Sequence, residues 1–138
     1  MTIGGLGRHV LFEMPMMGIP IYAHSACFEL LTLGVTPIWA HPERCLDVIN
    51  NPGIVMGFIK SGVLLQFNTN SILGNYGSNV KKTVRHLLEQ RVGNILASDT
   101  HRIETIKTLP DAMKKLVNTV GKDKAIDMAY NTPSSLLS

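Results

Sequence analysis

The chain has 138 residues, 45% apolar and 17% charged, which is enough for one packed core and excludes a disordered tail. Its formal net charge of +3 is read as spread along the chain without a basic block, so a nucleic-acid partner is not expected. No apolar run approaches the roughly 18 residues of a membrane helix. The opening residues read as no export signal, so a cytoplasmic chain with Cys27 and Cys45 as reduced thiols is expected, folded as a single domain over 1–138.

Four short, mostly apolar runs, 9–13, 36–41, 63–68 and 94–99, read as strands buried on both faces of a parallel sheet. A stretch with helical spacing follows each. The first is a turn bounded by Pro15 and Pro20, then a helix over 22–33 closed by Gly34. The second is a helix over 52–61 with Ile54, Val55, Phe58 and Ile59 as its apolar stripe and Gly62 as its stop. The third carries Val80, Val84, Leu87 and Leu88, and its unit ends at Gly93. The fourth carries Leu109, Met113, Leu116, Val117 and Val120 up to Gly121. A last helix over 122–130 is expected to stop at Asn131-Thr132-Pro133.

This is a run of about four β-α units, which predicts an α/β fold with parallel strands. The polar residues at the strand ends, Glu13, His41, Asn68 and Asp99, recur at separations of 28, 27 and 31 residues, the length a β-α unit needs. Chemistry in such folds collects at the C-terminal strand ends. Two imidazoles and two carboxylates fall there, because His101 lies two residues beyond Asp99 and an extended segment turns both the same way. Nitrogen and oxygen donors without thiolate suit manganese, iron or zinc. The plainer alternative is that Glu13 and Asn68 cap the turns that follow them.

Trp39-Ala40-His41-Pro42-Glu43-Arg44 delivers a histidine to the rim, stops the strand at Pro42 and sets Arg44 in the loop, suited to an anionic group. Ala97-Ser98-Asp99-Thr100-His101 supplies the second metal-type pair. Val10-Leu11-Phe12-Glu13 ends a strand in a carboxylate, which if buried needs a cation or a hydrogen-bond partner. A thiol phosphatase is unsupported, since neither cysteine is followed by arginine at the spacing Cys-x5-Arg requires. His9, His24 and His86 read as non-ligands, and the segment from Gly74 to Asn79 as a plain loop.

These pieces, with Gln66-Phe67-Asn68 and Ser71-Ile72-Leu73-Gly74 between them, resemble the polymerase and histidinol phosphatase (PHP) superfamily. Within it the chain is similar to the manganese-dependent tyrosine phosphatases of bacterial capsule and exopolysaccharide synthesis, the CpsB/CapC group. The resemblance implies a distorted β/α barrel of which this chain is the C-terminal part, and a cluster of up to three metal ions. It implies that Glu13, His41, Asp99 and His101 match metal ligands and that Arg44 matches a phosphate-binding arginine, with Arg44, Asp99 and His101 in catalytic roles. The implied cofactor is Mn²⁺, or another divalent metal such as Fe or Zn. The implied substrate is a phosphotyrosine-bearing protein, a bacterial tyrosine kinase. The His-x-His segment that opens the family's first strand has no counterpart here, so an incomplete site with little activity of its own is expected. Two other readings compete with this one. The chain is a non-catalytic half-barrel for binding or assembly, with a homo-oligomer covering its open edge, or a PHP phosphoesterase for another substrate such as histidinol phosphate.

Overall fold

The computed structural model describes residues 2–99 and 103–138, the side chains at 103–105 excepted. Four parallel strands form one sheet in the order β1 (His9–Phe12), β2 (Thr36–Ala40), β3 (Leu64–Asn68), β4 (Ile95–Ala97). The order follows the sequence without reversal, as in a stretch of barrel wall and unlike a doubly wound sheet. Leu11, Ile38 and Leu64 share one register row, and Phe12, Trp39 and Leu65 the next. Alternate residues therefore face opposite sides.

Helices cover one side: α1 (Ala23–Thr32) follows β1, α2 (Leu46–Asn50) and α3 (Val55–Ser61) follow β2, α4 (Thr69–Leu73) and α5 (Ser78–Glu89) follow β3, and α6 (Leu109–Val120) follows β4. The main core lies there, with Trp39, Leu65, Phe67 and Leu96 from the sheet packed against Phe58, Val84, Leu88 and Leu116. Gly93 shows how tight that packing is. Its φ is +117°, and a Cβ on it would run into the Phe67 ring. The opposite side of the sheet carries a smaller cluster of Ile38, Ile95 and Leu136, with Ile3 and Leu64 against it.

The four predicted strands are present within a residue or two of their expected ends. One expectation fails at β1. It is an edge strand with a single neighbour and no fully buried residue, so it is not covered on both faces, and Leu11 is 43% exposed. The predicted stop at Pro133 also fails. α7 (Lys122–Ile126) runs through a π turn over Asp127–Asn131 into α8 (Thr132–Leu136), and the Thr132 N–H reaches back to the Asp127 carbonyl. The wider turn brings Pro133 into the first turn of a new helical segment, where a missing N–H costs little. Helix α4 was not foreseen, because its residues Thr69, Asn70 and Ser71 are polar yet buried.

Candidate metal centre

The strands carry Glu13, His41, Asn68 and Asp99 to one rim. His41 follows β2, and its N–H still donates to the Gln66 carbonyl at 2.7 Å, as a strand residue would. Pro42 then ends the strand, and Pro42–Arg44 forms a single 3₁₀ turn. His41 itself has φ +40° and Asp99 φ +46°. Left-handed backbone is uncommon outside glycine and carries a local cost of about 1–3 kcal/mol. Two strand-end residues that share it mark the rim as a place where the backbone is held for side-chain direction.

The rim divides into two contacts. His41 Nε2 lies 3.2 Å from Glu13 Oε1. The imidazole is 7% exposed and the carboxylate 66%, so Glu13 is not the buried carboxylate its apolar strand suggested. It projects from the sheet edge, where water meets its charge, and still faces His41. On the other side Asn68 Nδ2 donates to Asp99 Oδ2 at 3.1 Å. Asn68 is the residue before α4, but its side chain caps nothing there, so the capping alternative is set aside for it. Its Oδ1 is buried without a partner among the described residues.

Glu43 was not singled out in the sequence. It is fully buried, and its Oε1 accepts the Asn68 N–H at 3.0 Å. Burial pushes its carboxyl pKa up. Ser71, the Asn68 and Glu43 backbone and the charge of His41 pull it down. Ser71 stands beside the carboxyl without a bond of ordinary geometry, so Glu43 Oε2 and Ser71 Oγ both lack a partner among the described residues. Glu43 thus links the turn after β2 to the end of β3, and through Asn68 to Asp99. A glutamate between His-Pro and Arg carries no sequence mark of burial, which is why it was missed.

Arg44 leaves the same turn. Its guanidinium lies 4.0 Å over the Tyr76 ring, and Nη2 is 3.7 Å from Met16 Sδ. Stacking on an aromatic face holds the group flat while its N–H edge stays available. Tyr76 belongs to the segment expected to be a plain loop, and it has this function only because the fold brings it under Arg44. His101 lies outside the described residues.

With this geometry in hand, comparison with known proteins decides the family. The profile of the family described as "Capsular polysaccharide synthesis, CpsB/CapC" matches residues 2–138. The chain belongs to the CpsB/CapC family. It is 34% identical to CapC of Staphylococcus aureus over 130 residues, covering 94% of this chain and 48% of that protein. It is 30% identical to the tyrosine-protein phosphatase CpsB of Streptococcus agalactiae serotype III over 136 residues, covering 94% and 56%. Among solved structures, it superposes with a TM-score of 0.81 and 25% identity on a chain from the work on YwqE of Bacillus subtilis and CpsB of Streptococcus pneumoniae, described as metal-dependent tyrosine phosphatases. That match covers 94% of this chain and 51% of that one. The chain therefore spans about half the length of these relatives.

For a CpsB/CapC chain the donor set is informative. Glu13 and His41 converge, and Asn68 Oδ1 is a buried oxygen acceptor that no donor among the described residues meets. Carboxylate, imidazole and amide oxygen suit a hard or borderline divalent cation. Among the described residues, no three His, Cys, Asp or Glu side chains gather at one point, so those present fit part of a metal shell. Cys27 and Cys45 are both buried and unpaired, and burial pushes the Cys27 thiol up, the opposite of what a nucleophilic thiolate needs. Among the described residues, no helix is long and apolar enough to cross a membrane.

Proposed function

We propose that this chain supplies the C-terminal half of a metal-dependent phosphatase site acting on phosphotyrosine in a protein, in the manner named for its CpsB and YwqE relatives. The observation that carries this reading is the convergence of Glu13 on His41, with Asn68 bonded to Asp99 at the same strand-end rim. Glu13, His41 and Asp99, joined by His101, would hold Mn²⁺, Fe or Zn. A bound divalent metal supplies charge neutralisation for the phosphate and a lower pKa for the attacking water. Arg44 binds the phosphate oxygens through its N–H edge, held from behind by Tyr76. Water is the nucleophile, because neither buried thiol is suited to attack. The substrate protein is a bacterial tyrosine kinase of capsule synthesis, and the setting is the cytoplasm.

The test is hydrolysis of p-nitrophenyl phosphate with added Mn²⁺, beside Asp99→Ala and His101→Ala. The chain alone should turn over slowly, and both substitutions should abolish what Mn²⁺ adds. Turnover indifferent to Mn²⁺ and to both substitutions contradicts the site.

A second reading, a binding or assembly half-barrel, is favoured by one observation. Leu11, Met17, Ile21, Tyr22, Phe28 and Leu33 are all exposed on and around β1 and α1, apolar side chains of the kind a partner covers. A homo-oligomer through this edge should elute as a dimer in size-exclusion chromatography, and a monomer at all concentrations counts against it.

A further inference from the structure

The excess charge is not spread over the molecule. Helix α5 carries Lys81, Lys82 and Arg85 against Glu89, and α6 carries Lys114 and Lys115 against Asp111. The rest of the chain balances, eight cations to eight carboxylates, so the whole net charge of +3 resides on these two helices. Between them lies a cavity of about 240 Å³. Its floor is apolar, from Ile72, Val84 and Leu88, and its rim carries Lys81, Arg85 and Lys115, with Asn118 and Thr119 beside them. Among the described residues, Arg85 pairs with Glu89 at 2.8 Å, while Lys81 and Lys115 pair with no carboxylate. The Lys81 stem lies across Gly74, where an added Cβ would meet its Cδ at 2.9 Å.

We propose that this α5–α6 cleft docks an extended acidic segment of a protein partner. Lys81 and Arg85 stand one i,i+4 step apart on α5, as do Lys115 and Thr119 on α6. That step is about 6 Å along a helix, close to the roughly 6.6 Å between alternate residues of an extended chain. Alternate Asp or Glu side chains thus meet successive polar groups, while small side chains between them rest on the apolar floor. The cavity is smaller than the roughly 300–1,000 Å³ usual for small-molecule pockets, which favours a segment lying along it over an enclosed metabolite. The site uses none of the rim residues assigned to metal or phosphate, so it stands or falls apart from the phosphatase reading.

The test is fluorescence anisotropy of a short labelled peptide of alternating Glu and Ala, without metal and at low ionic strength, using the full chain. The Glu peptide should bind, its Gln counterpart should not, and added salt should release it. Lys81→Ala with Lys115→Ala should weaken binding roughly five- to tenfold. Lys122→Ala with Lys124→Ala removes the same charge from α7 and should change it by less than about twofold. Equal weakening by the two pairs reduces the effect to general attraction and overturns the proposal. So does absence of binding at low salt, or full displacement by millimolar inorganic phosphate, which would make the cleft a small-anion site. Because Lys81 and Lys115 are exposed, the variants keep the fold, and circular dichroism confirms it.

Discussion

Strands β2 and β3 differ from the β1–α1 flank in one respect that governs the rest. Each central strand has a neighbour on both sides and helices over one face, and Ile38, Trp39, Leu65 and Phe67 are almost wholly buried. β1 has one neighbour, and Leu11, Ile21 and Phe28 on its flank face solvent. The site is divided the same way. His41 and Glu43 sit in the finished part, while Glu13 reaches in from the unfinished edge. A side chain's burial here follows its place in the sheet more than its own polarity, which is why a glutamate is fully buried and a leucine is not.

The contrast is broken most sharply by truncation. Trp39→Ala should cost about 3–5 kcal/mol in urea unfolding, and Leu11→Ala under about 1 kcal/mol. Similar costs would mean that the edge is covered in solution. The next effect concerns how the finished part positions the rim. Asn68→Ala removes its hydrogen bond to Asp99 and should lower Mn²⁺ affinity, measured by calorimetric titration, by about tenfold or more. An unchanged affinity would detach Asp99 from the metal.

Glu43 gives a pH test. Its folded-state carboxyl pKa is raised, so its unfavourable contribution is absent below the ordinary glutamate value. Stability is then lost as pH rises from that value through the folded one. Glu43→Gln should flatten that fall, so urea midpoints followed from acid to neutral pH should decline less in the variant. An equal decline in both proteins would place the proton elsewhere. The smallest effect belongs to Arg44. Tyr76→Leu removes a ring contact worth about 0.5–1 kcal/mol, and should show as a small rise in KM for p-nitrophenyl phosphate with little change in stability.

The strands were legible because parallel strands in a covered sheet read as apolar runs, and the helix ends because Gly34, Gly62 and Gly121 follow them. The rim position of His41 and Asp99 was legible because each closes an apolar strand at a regular interval along the chain. Glu43, Ser71 and Tyr76 were not. Glu43 and Ser71 owe their burial, and Tyr76 its place under Arg44, to neighbours far along the chain, and local pattern carries no trace of that. The exposure of Glu13 was hidden for a related reason, since an edge strand and a central one differ by a neighbour and not by composition. The continuation through Pro133 depended on a π turn, which no proline rule anticipates.

The central claim is that this rim, with His41 as its best-buried donor, holds a divalent metal. Titration of Mn²⁺ into the chain, followed by the loss of the free-ion electron paramagnetic resonance signal, tests it against His41→Ala. The account predicts saturable binding by the parent and an affinity lower by about tenfold or more in the variant. Equal binding by the two proteins would contradict it.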